Sequence, residues 1–261
     1  MTRPQERVFI TGASSGIGAA LARHYAARGA ALGLLARRRD HLAALAESLP
    51  NPERHRIYPV DVLERDALAA AARDFIAANG GADIVVASAG ISHGTLTDRP
   101  ADLAVFDAVF ATNVNATVAT FAPFIAAMKA QATPCRLVGI GSVAGVRGMR
   151  GAGAYCASKA AVHVYCEALR LELHGSNIRV VTIAPGYIDT PMTSKNRFPM
   201  PFLMPAPRFA AQAAAVIARG ERYRVLPWQM GVVARLLRLL PGFVFDRLFA
   251  RAPTKQRQGQ A

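Results

Sequence analysis

The sequence predicts a doubly wound α/β fold, with a parallel sheet of about seven strands, helices on both faces and a C-terminal amphipathic helical extension. Three observations predict it. Short runs rich in β-branched residues alternate with longer alanine-rich stretches along most of the 261 residues. The first run passes directly into a glycine-rich turn and then a helix-like stretch. Neither a composition break nor an internal repeat divides the chain, so one domain is expected.

The strand-like runs fall at 7–11, 31–36, 56–60, 83–87, 136–141, 178–184 and 223–226. Helix-like stretches follow most of them, at 16–28, 40–49, 65–78, 101–130, 154–174 and 208–219. Strands separated by helices pair in parallel, and right-handed crossovers then place helices on both faces of one sheet. Two stretches interrupt the alternation. Residues 187–207 are rich in Pro, Met and Phe and read as a long mobile loop between strand and helix. From Trp228 an amphipathic helix runs to about Leu240, Pro241-Gly242 breaks it, and a second short helix follows. The polar end, 253–261, is expected to fray.

The net charge is +14, and only four of the 31 basic residues are lysines. Between 219 and 257, nine basic residues stand against Glu221 and Asp246, which places half the net charge in that segment. Such a balance suits nucleic acid, an anionic membrane surface or an anionic ligand. The chain has no helix-turn-helix, zinc-finger or RNA-binding signature, so nucleic acid is not an expected partner. Cys135, Cys156 and Cys166 lack disulfide and metal spacing and read as reduced thiols of a cytoplasmic protein. The first strand begins by residue 7, which leaves no room ahead of it for a signal peptide. No window approaches 18 uninterrupted apolar residues, so no spanning helix is expected.

Two motifs carry chemistry. Gly12, Gly16 and Gly18 sit where a strand turns into a helix, allowing a tight turn and close approach of a pyrophosphate. The helix that starts there, through Ile17, offers free N–H groups and its positive dipole end, and Ser14 and Ser15 add hydroxyl donors. Tyr155 and Lys159 lie four apart, on one face of a helix. A free tyrosine titrates near 10 and is a poor acid or base near neutrality. A cation within about 4 Å is worth up to ~4 kcal/mol at an effective dielectric of ~20, enough to lower the phenol by two or three units.

The spacing TGxxxGxG from Thr11 to Gly18, with YxxxK from Tyr155 to Lys159, resembles the short-chain dehydrogenase/reductase family rather than most dinucleotide folds. The resemblance runs from residue 8 to about 192 and implies a Rossmann-type domain. It implies that Ser142, in Ile140-Gly141-Ser142, holds the substrate oxygen while Tyr155 protonates it, during hydride transfer between nicotinamide C4 and a carbonyl carbon. Lys159 would lower the tyrosine pKa and hold the ribose, and Asn113, in Thr112-Asn113-Val114, would support a relay water near that lysine. Asn115 is a near neighbour that could be confused with it. Asp61-Val62 would contact the adenine, Ala89-Gly90 would approach the cofactor closely, and Pro185, Gly186, Ile188 and Thr190 would border the nicotinamide. Ala36 stands where NAD-binding members carry Asp, and Arg37 follows it, which implies NADP(H) in preference to NAD(H). One departure is Ala87-Ser88-Ala89-Gly90 in place of the family's Asn-Asn-Ala-Gly, which removes asparagine bonds that Ser88 could replace in part.

The chain is accordingly divided into a catalytic domain, 1–227, and a basic amphipathic extension of it, 228–261. Residues 187–207 are expected to cover the substrate, with Phe198, Met200, Phe202, Leu203 and Met204 forming an apolar surface. Gly145, Gly148, Gly151 and Gly153 would leave room beside the catalytic groups, and His93 reads as a loop histidine near the pocket mouth. The apolar lid and the basic, apolar tail point to a hydrophobic or lipid-like small-molecule substrate and to peripheral contact with anionic membrane. The resemblance implies a dimer or tetramer. The alternatives are an NADP-binding sensor without turnover and a membrane-surface scaffold.

Overall fold

The strands are β1 (Arg7–Thr11), β2 (Ala31–Ala36), β3 (His55–Pro59), β4 (Ile84–Ala87), β5 (Cys135–Ile140), β6 (Ile178–Pro185), β7 (Ile188–Asp189), β8 (Met204–Pro205) and β9 (Tyr223–Leu226). They come from a computed structural model that describes residues 6–196, 198–251, 254, 255 and 257. All pair in parallel, seven of them in the order β3-β2-β1-β4-β5-β6-β9. The helices are α1 (Gly16–Ala26), α2 (Arg39–Glu47), α3 (Arg65–Asn79), α4 (Ala101–Phe110), α5 (Ala116–Lys129), α6 (Gly153–Glu172), α7 (Ala206–Arg219), α8 (Trp228–Leu239) and α9 (Gly242–Phe249). The expected doubly wound sheet is present.

Alternation along β1 builds both layers. Val8 and Ile10 point into one core, with Leu21, Leu32, Leu34, Phe209 and Ile217. Phe9 points into the other, with Phe75, Phe121 and Phe124. Gly33 lets the Phe9 and Phe75 rings cross β2, since a Cβ there would come within 2.5 Å of Phe9. The chain moves outward from β1 through β2 to β3, then returns to β4 on the other side of β1. The connections that leave the carboxyl ends of the paired strands β1 and β4 therefore run in opposite directions, and a crevice opens at this switch point.

Three expectations are corrected. The helix predicted over 101–130 is interrupted by a π-helical turn, Ala111–Asn115. The whole stretch Ala101–Lys129 is also long and apolar enough, by length and composition, to cross a membrane. In this fold its second half packs inward through the buried Phe121, Phe124 and Met128. Residues 187–207 are not an open loop. The β7–β8 ladder closes the segment at its base, and α7 begins at Ala206. Of the tail expected to fray, Thr254, Lys255 and Arg257 pack on the domain, and the remainder of 253–261 lies outside the described residues.

Candidate active site

The glycine turn is built by close backbone approach. Gly12 has φ 67°, and a Cβ there would lie 2.8 Å from the Ala89 backbone. A Cβ on Gly18 would meet the Gly12 carbonyl oxygen at 2.3 Å, so α1 can start this close to β1 only with glycine. Ser15 is the N-cap in extended conformation and makes no capping bond with its side chain, and the first turn holds no acidic residue. The N–H groups of that turn thus face the crevice under an uncancelled positive dipole end.

A cleft of about 580 Å³ follows the carboxyl ends of the strands. Gly12, Ser14, Ser15, Gly16, Ile17 and Gly18 line its middle, with Arg37, Asp61 and Val62 toward β2 and β3. Ala89, Gly90, Ser142, Tyr155, Lys159, Pro185, Gly186, Ile188 and Thr190 line the remainder. Every cofactor contact expected from the sequence is therefore brought to one cavity. Arg37 is 72% exposed, and its Nη1 lies 3.9 Å from Asp61 Oδ2. Sequence reasoning overlooked Arg38, which also lines the cleft and donates from Nη2 to Ser14 Oγ at 3.3 Å. Its visible signal is the run Arg37-Arg38-Arg39 that directly follows β2. Thr193 was missed too: its hydroxyl donates to the Ile188 carbonyl at 2.5 Å and accepts from the Thr190 N–H at 3.1 Å, fixing this wall.

Tyr155 and Lys159 lie in the first two turns of α6, and Ser142 stands at the end of β5, capping the 3-10 turn Val143–Gly145. Ser142 Oγ accepts from the Ala144 N–H at 3.1 Å, and the Ser142 N–H donates to His163 Nε2 at 3.3 Å. His163 was not singled out from the sequence, where nothing marks it. Burial, reinforced by the charge of Lys159, pulls its imidazole down to about 4. Lys159 Nζ donates to the Ile140 carbonyl at 2.9 Å, and burial lowers its ammonium to about 8. Burial pushes the Tyr155 phenol up, against the pull of its hydrogen bond with Ser142. The expectation that Lys159 holds the phenol down is thus not met in this geometry, because both groups are desolvated and the ammonium turns to a backbone carbonyl.

Asn113, not Asn115, is the buried asparagine. Its Oδ1 accepts from the Ile91 N–H at 2.8 Å, and its Nδ2 donates to the Ile91 carbonyl at 3.1 Å and to Ser158 Oγ at 2.9 Å. The π-helical turn carries Asn113 to this junction of the β4 loop with α6. The sheet tie expected of the family's missing asparagine is made by Thr11, whose hydroxyl accepts from the Ser88 and Ala89 N–H groups at 3.2 and 3.4 Å. Gly145 does not leave room beside the catalytic groups. It allows the 3-10 turn to touch α6, since a Cβ there would lie 2.8 Å from the Lys159–Ala160 backbone.

A second cavity, of about 380 Å³, joins the cleft at Ser142 and Tyr155. Val143, Met149, Phe198, Met230, Val233, Leu237 and Phe249 make it largely apolar. Of the five residues expected to form the lid surface, Phe198 lines this cavity, while Met204 is buried in β8 and belongs to the core. Phe202 and Leu203 are 49% and 44% exposed. His93 lies outside both linings, lowered by burial and by the charges of Lys195 and Lys255.

The profile of the family described as short chain dehydrogenase matches residues 6–200. An uncharacterised oxidoreductase of Myxococcus xanthus is 36% identical over 240 residues, covering 91% of this chain and 94% of its own. One from Mycobacterium tuberculosis is 34% identical over 241 residues, covering 91% and 94%. The solved structure of a short chain dehydrogenase/reductase from Burkholderia phymatum in complex with NAD aligns with a TM-score of 0.80 at 22% identity, over 96% of this chain and 97% of that one. The protein belongs to the short-chain dehydrogenase/reductase family of oxidoreductases, and its glycine-floored cleft fits a nicotinamide dinucleotide.

Proposed function

We propose that the protein is an NADP(H)-preferring oxidoreductase that interconverts a ketone and a secondary alcohol on a hydrophobic, lipid-like substrate. The observation that carries this reading is the meeting of the two cavities. A cleft with Arg37 and Arg38 at one end opens, at Ser142 and Tyr155, into an apolar pocket. Ala36 leaves no carboxylate at the end of β2 to compete with a 2′-phosphate, and the two guanidinium groups suit its charge.

A bound nicotinamide would supply the hydride chemistry. Tyr155, kept protonated by burial, gives its proton to the substrate oxygen, and Ser142 donates to the same oxygen. Lys159 would hold the ribose of the bound cofactor, and its ammonium, 5.9 Å from the centroid of the Tyr155 ring, would set a positive charge behind the phenol as it gives up its proton. Asn113 braces the Gly90–Ile91 backbone and borders the path for a relay water toward Lys159. The 187–207 segment, tied at its base by β7 and β8, closes over the substrate through Met192 and Phe198.

The surroundings extend the reading. Trp228, Leu236, Leu239, Phe243 and Leu248 are exposed on α8 and α9 among Arg235, Arg238, Arg247 and Arg251, a combination suited to anionic lipid. Leu103, Phe106, Val118, Val164 and Leu171, exposed on α4, α5 and α6, suit a second copy of the chain. Three buried free thiols accord with a cytoplasmic location. The test is oxidation of NADPH and of NADH against carbonyls of increasing chain length, with Tyr155→Phe as control. Faster turnover with NADPH, rising with chain length, is expected; no reduction of any member rejects the reading. For the lipid contact, Leu239→Glu/Phe243→Glu should abolish sedimentation with phosphatidylglycerol vesicles, and equal sedimentation would remove that surface.

A further inference from the structure

The end of the chain returns to the catalytic groups. Arg257 forms a two-pronged ion pair with Asp102, through Nε and Nη2 at 2.7 Å each. The Asp102 side chain is only 7% exposed, and its Oδ2 also accepts from the Leu96 N–H at 2.8 Å. A β-bridge joins Gly94 to Arg257, and Thr254 lies against Gly151, whose φ of 67° lets the backbone turn beneath it. Held on both sides, Lys255 extends into the apolar pocket. Its ammonium hydrogen-bonds the Ser92 hydroxyl and lies 4.5 Å from the centroid of the Tyr155 ring, nearer than that of Lys159.

We propose that Lys255 recognises an oxyanion, carboxylate or phosphate, on a substrate whose apolar chain occupies the pocket and whose carbonyl lies at Tyr155. This rests on the reductase reading above and narrows it. The charge balance of the pocket supports it. Arg147, Arg150 and Lys255 line the cavity, and no Asp or Glu is among its described lining residues. Arg147 is already used: it donates to the Leu237 and Leu240 carbonyls at 2.7 Å each and stacks on Phe245. Lys255 carries three donors, of which one hydroxyl and one ring face engage two. Burial pulls it down to about 8, an unfavourable setting that a bound anion relieves. Arg257 is neutralised by Asp102 and secures the strap, whereas no carboxylate among the pocket's described lining residues faces Lys255.

Calorimetric titration of the NADP+-loaded protein, or the NAD+-loaded protein if that cofactor binds better, tests the proposal with octanoate, octyl phosphate and 1-octanol. The wild type is expected to bind one of the two anions about tenfold or more tightly than the alcohol. Stronger binding of octanoate identifies a carboxylate, and stronger binding of octyl phosphate a phosphate. Lys255→Gln should erase the preference and Lys255→Arg should keep it, with thermal melts verifying that each variant is folded. Equal affinity for alcohol and anions, no binding of either anion, or a preference surviving in Lys255→Gln overturns the assignment. Failure to reduce 2-octanone or longer neutral ketones bears on the reductase reading instead, because these titrations need no turnover.

Discussion

Lys159 Nζ lies 5.9 Å from the centroid of the Tyr155 ring and gives its hydrogen bond to the Ile140 carbonyl instead, at 2.9 Å. The ammonium thus makes no hydrogen bond to the phenol, whose titration is pushed up by burial against the opposing pull of Ser142. In the ground state the phenol is held protonated, as a proton donor to a developing alkoxide needs to be.

Tyr155→Phe removes that proton and little else, since the ring still fills the wall between the two cavities. Turnover should fall by roughly 10²–10⁴-fold, the usual contribution of a positioned acid. NADPH binding, followed by fluorescence titration, should stay within a few-fold of wild type. Retained turnover would exclude Tyr155 as the proton donor.

Arg37→Asp places a carboxylate at the end of β2, next to Asp61, where Arg37 now lies 3.9 Å away. The change repels a 2′-phosphate and offers an acceptor to a ribose hydroxyl. The NADPH-to-NADH ratio of kcat/KM should drop by on the order of 10²-fold, from loss of attraction together with new repulsion. Arg38→Ala, which also frees Ser14, should lower the ratio by less. A ratio unmoved by either change would defeat the NADP(H) assignment.

Asn113→Ala strands the Ile91 N–H and carbonyl and removes the bond to Ser158. Buried groups left without partners cost about 1–3 kcal/mol each, but the Ile91 groups are part-buried at the cleft and open to water, so urea unfolding should show a loss of roughly 1–3 kcal/mol. Because Gly90 and Ile91 floor the cleft, NADPH affinity should fall as well. Asn115→Ala should do neither, and equal effects of the two changes would contradict the placement of Asn113.

The fold was legible because strand and helix signals are local: an all-buried run such as β2 and an alanine-rich amphipathic stretch each declare themselves within a dozen residues. The glycine turn and the Tyr155–Lys159 pair were legible for the same reason. The π-helical turn at Ala111–Asn115 was hidden, because one extra residue per turn hardly alters the apolar pattern of a helix apolar on several faces. Phe202 and Leu203 looked like lid residues, and only the β7–β8 ladder decides that they face solvent. Lys255 and Arg257 meet Ser92 and Asp102 across 163 and 155 residues, and no periodicity encodes a contact of that kind.

His163 supplies the test that depends on pH. Its Nε2 accepts the Ser142 N–H, so the neutral ring carries its proton on Nδ1. Burial lowers the folded pKa from 6.5 to about 4. Between those values the unfolded chain binds more protons than the folded one, so stability is lost as pH falls from 6.5 toward 4. Above 6.5 both states are neutral and this contribution is constant. The full loss is about 3 kcal/mol, with a slope of up to about 1.4 kcal/mol per pH unit. In the folded protein the ring takes up its proton only near pH 4; this turns the Nε2 acceptor into a donor and breaks its bond to the Ser142 backbone, so kcat should decline as pH approaches 4, below the window in which stability begins to fall. His163→Gln keeps an acceptor without a titratable proton. Urea unfolding at pH 7.0, 6.0 and 5.0 should therefore show a shallower decline for His163→Gln than for the wild type, and parallel declines would remove His163 from this role.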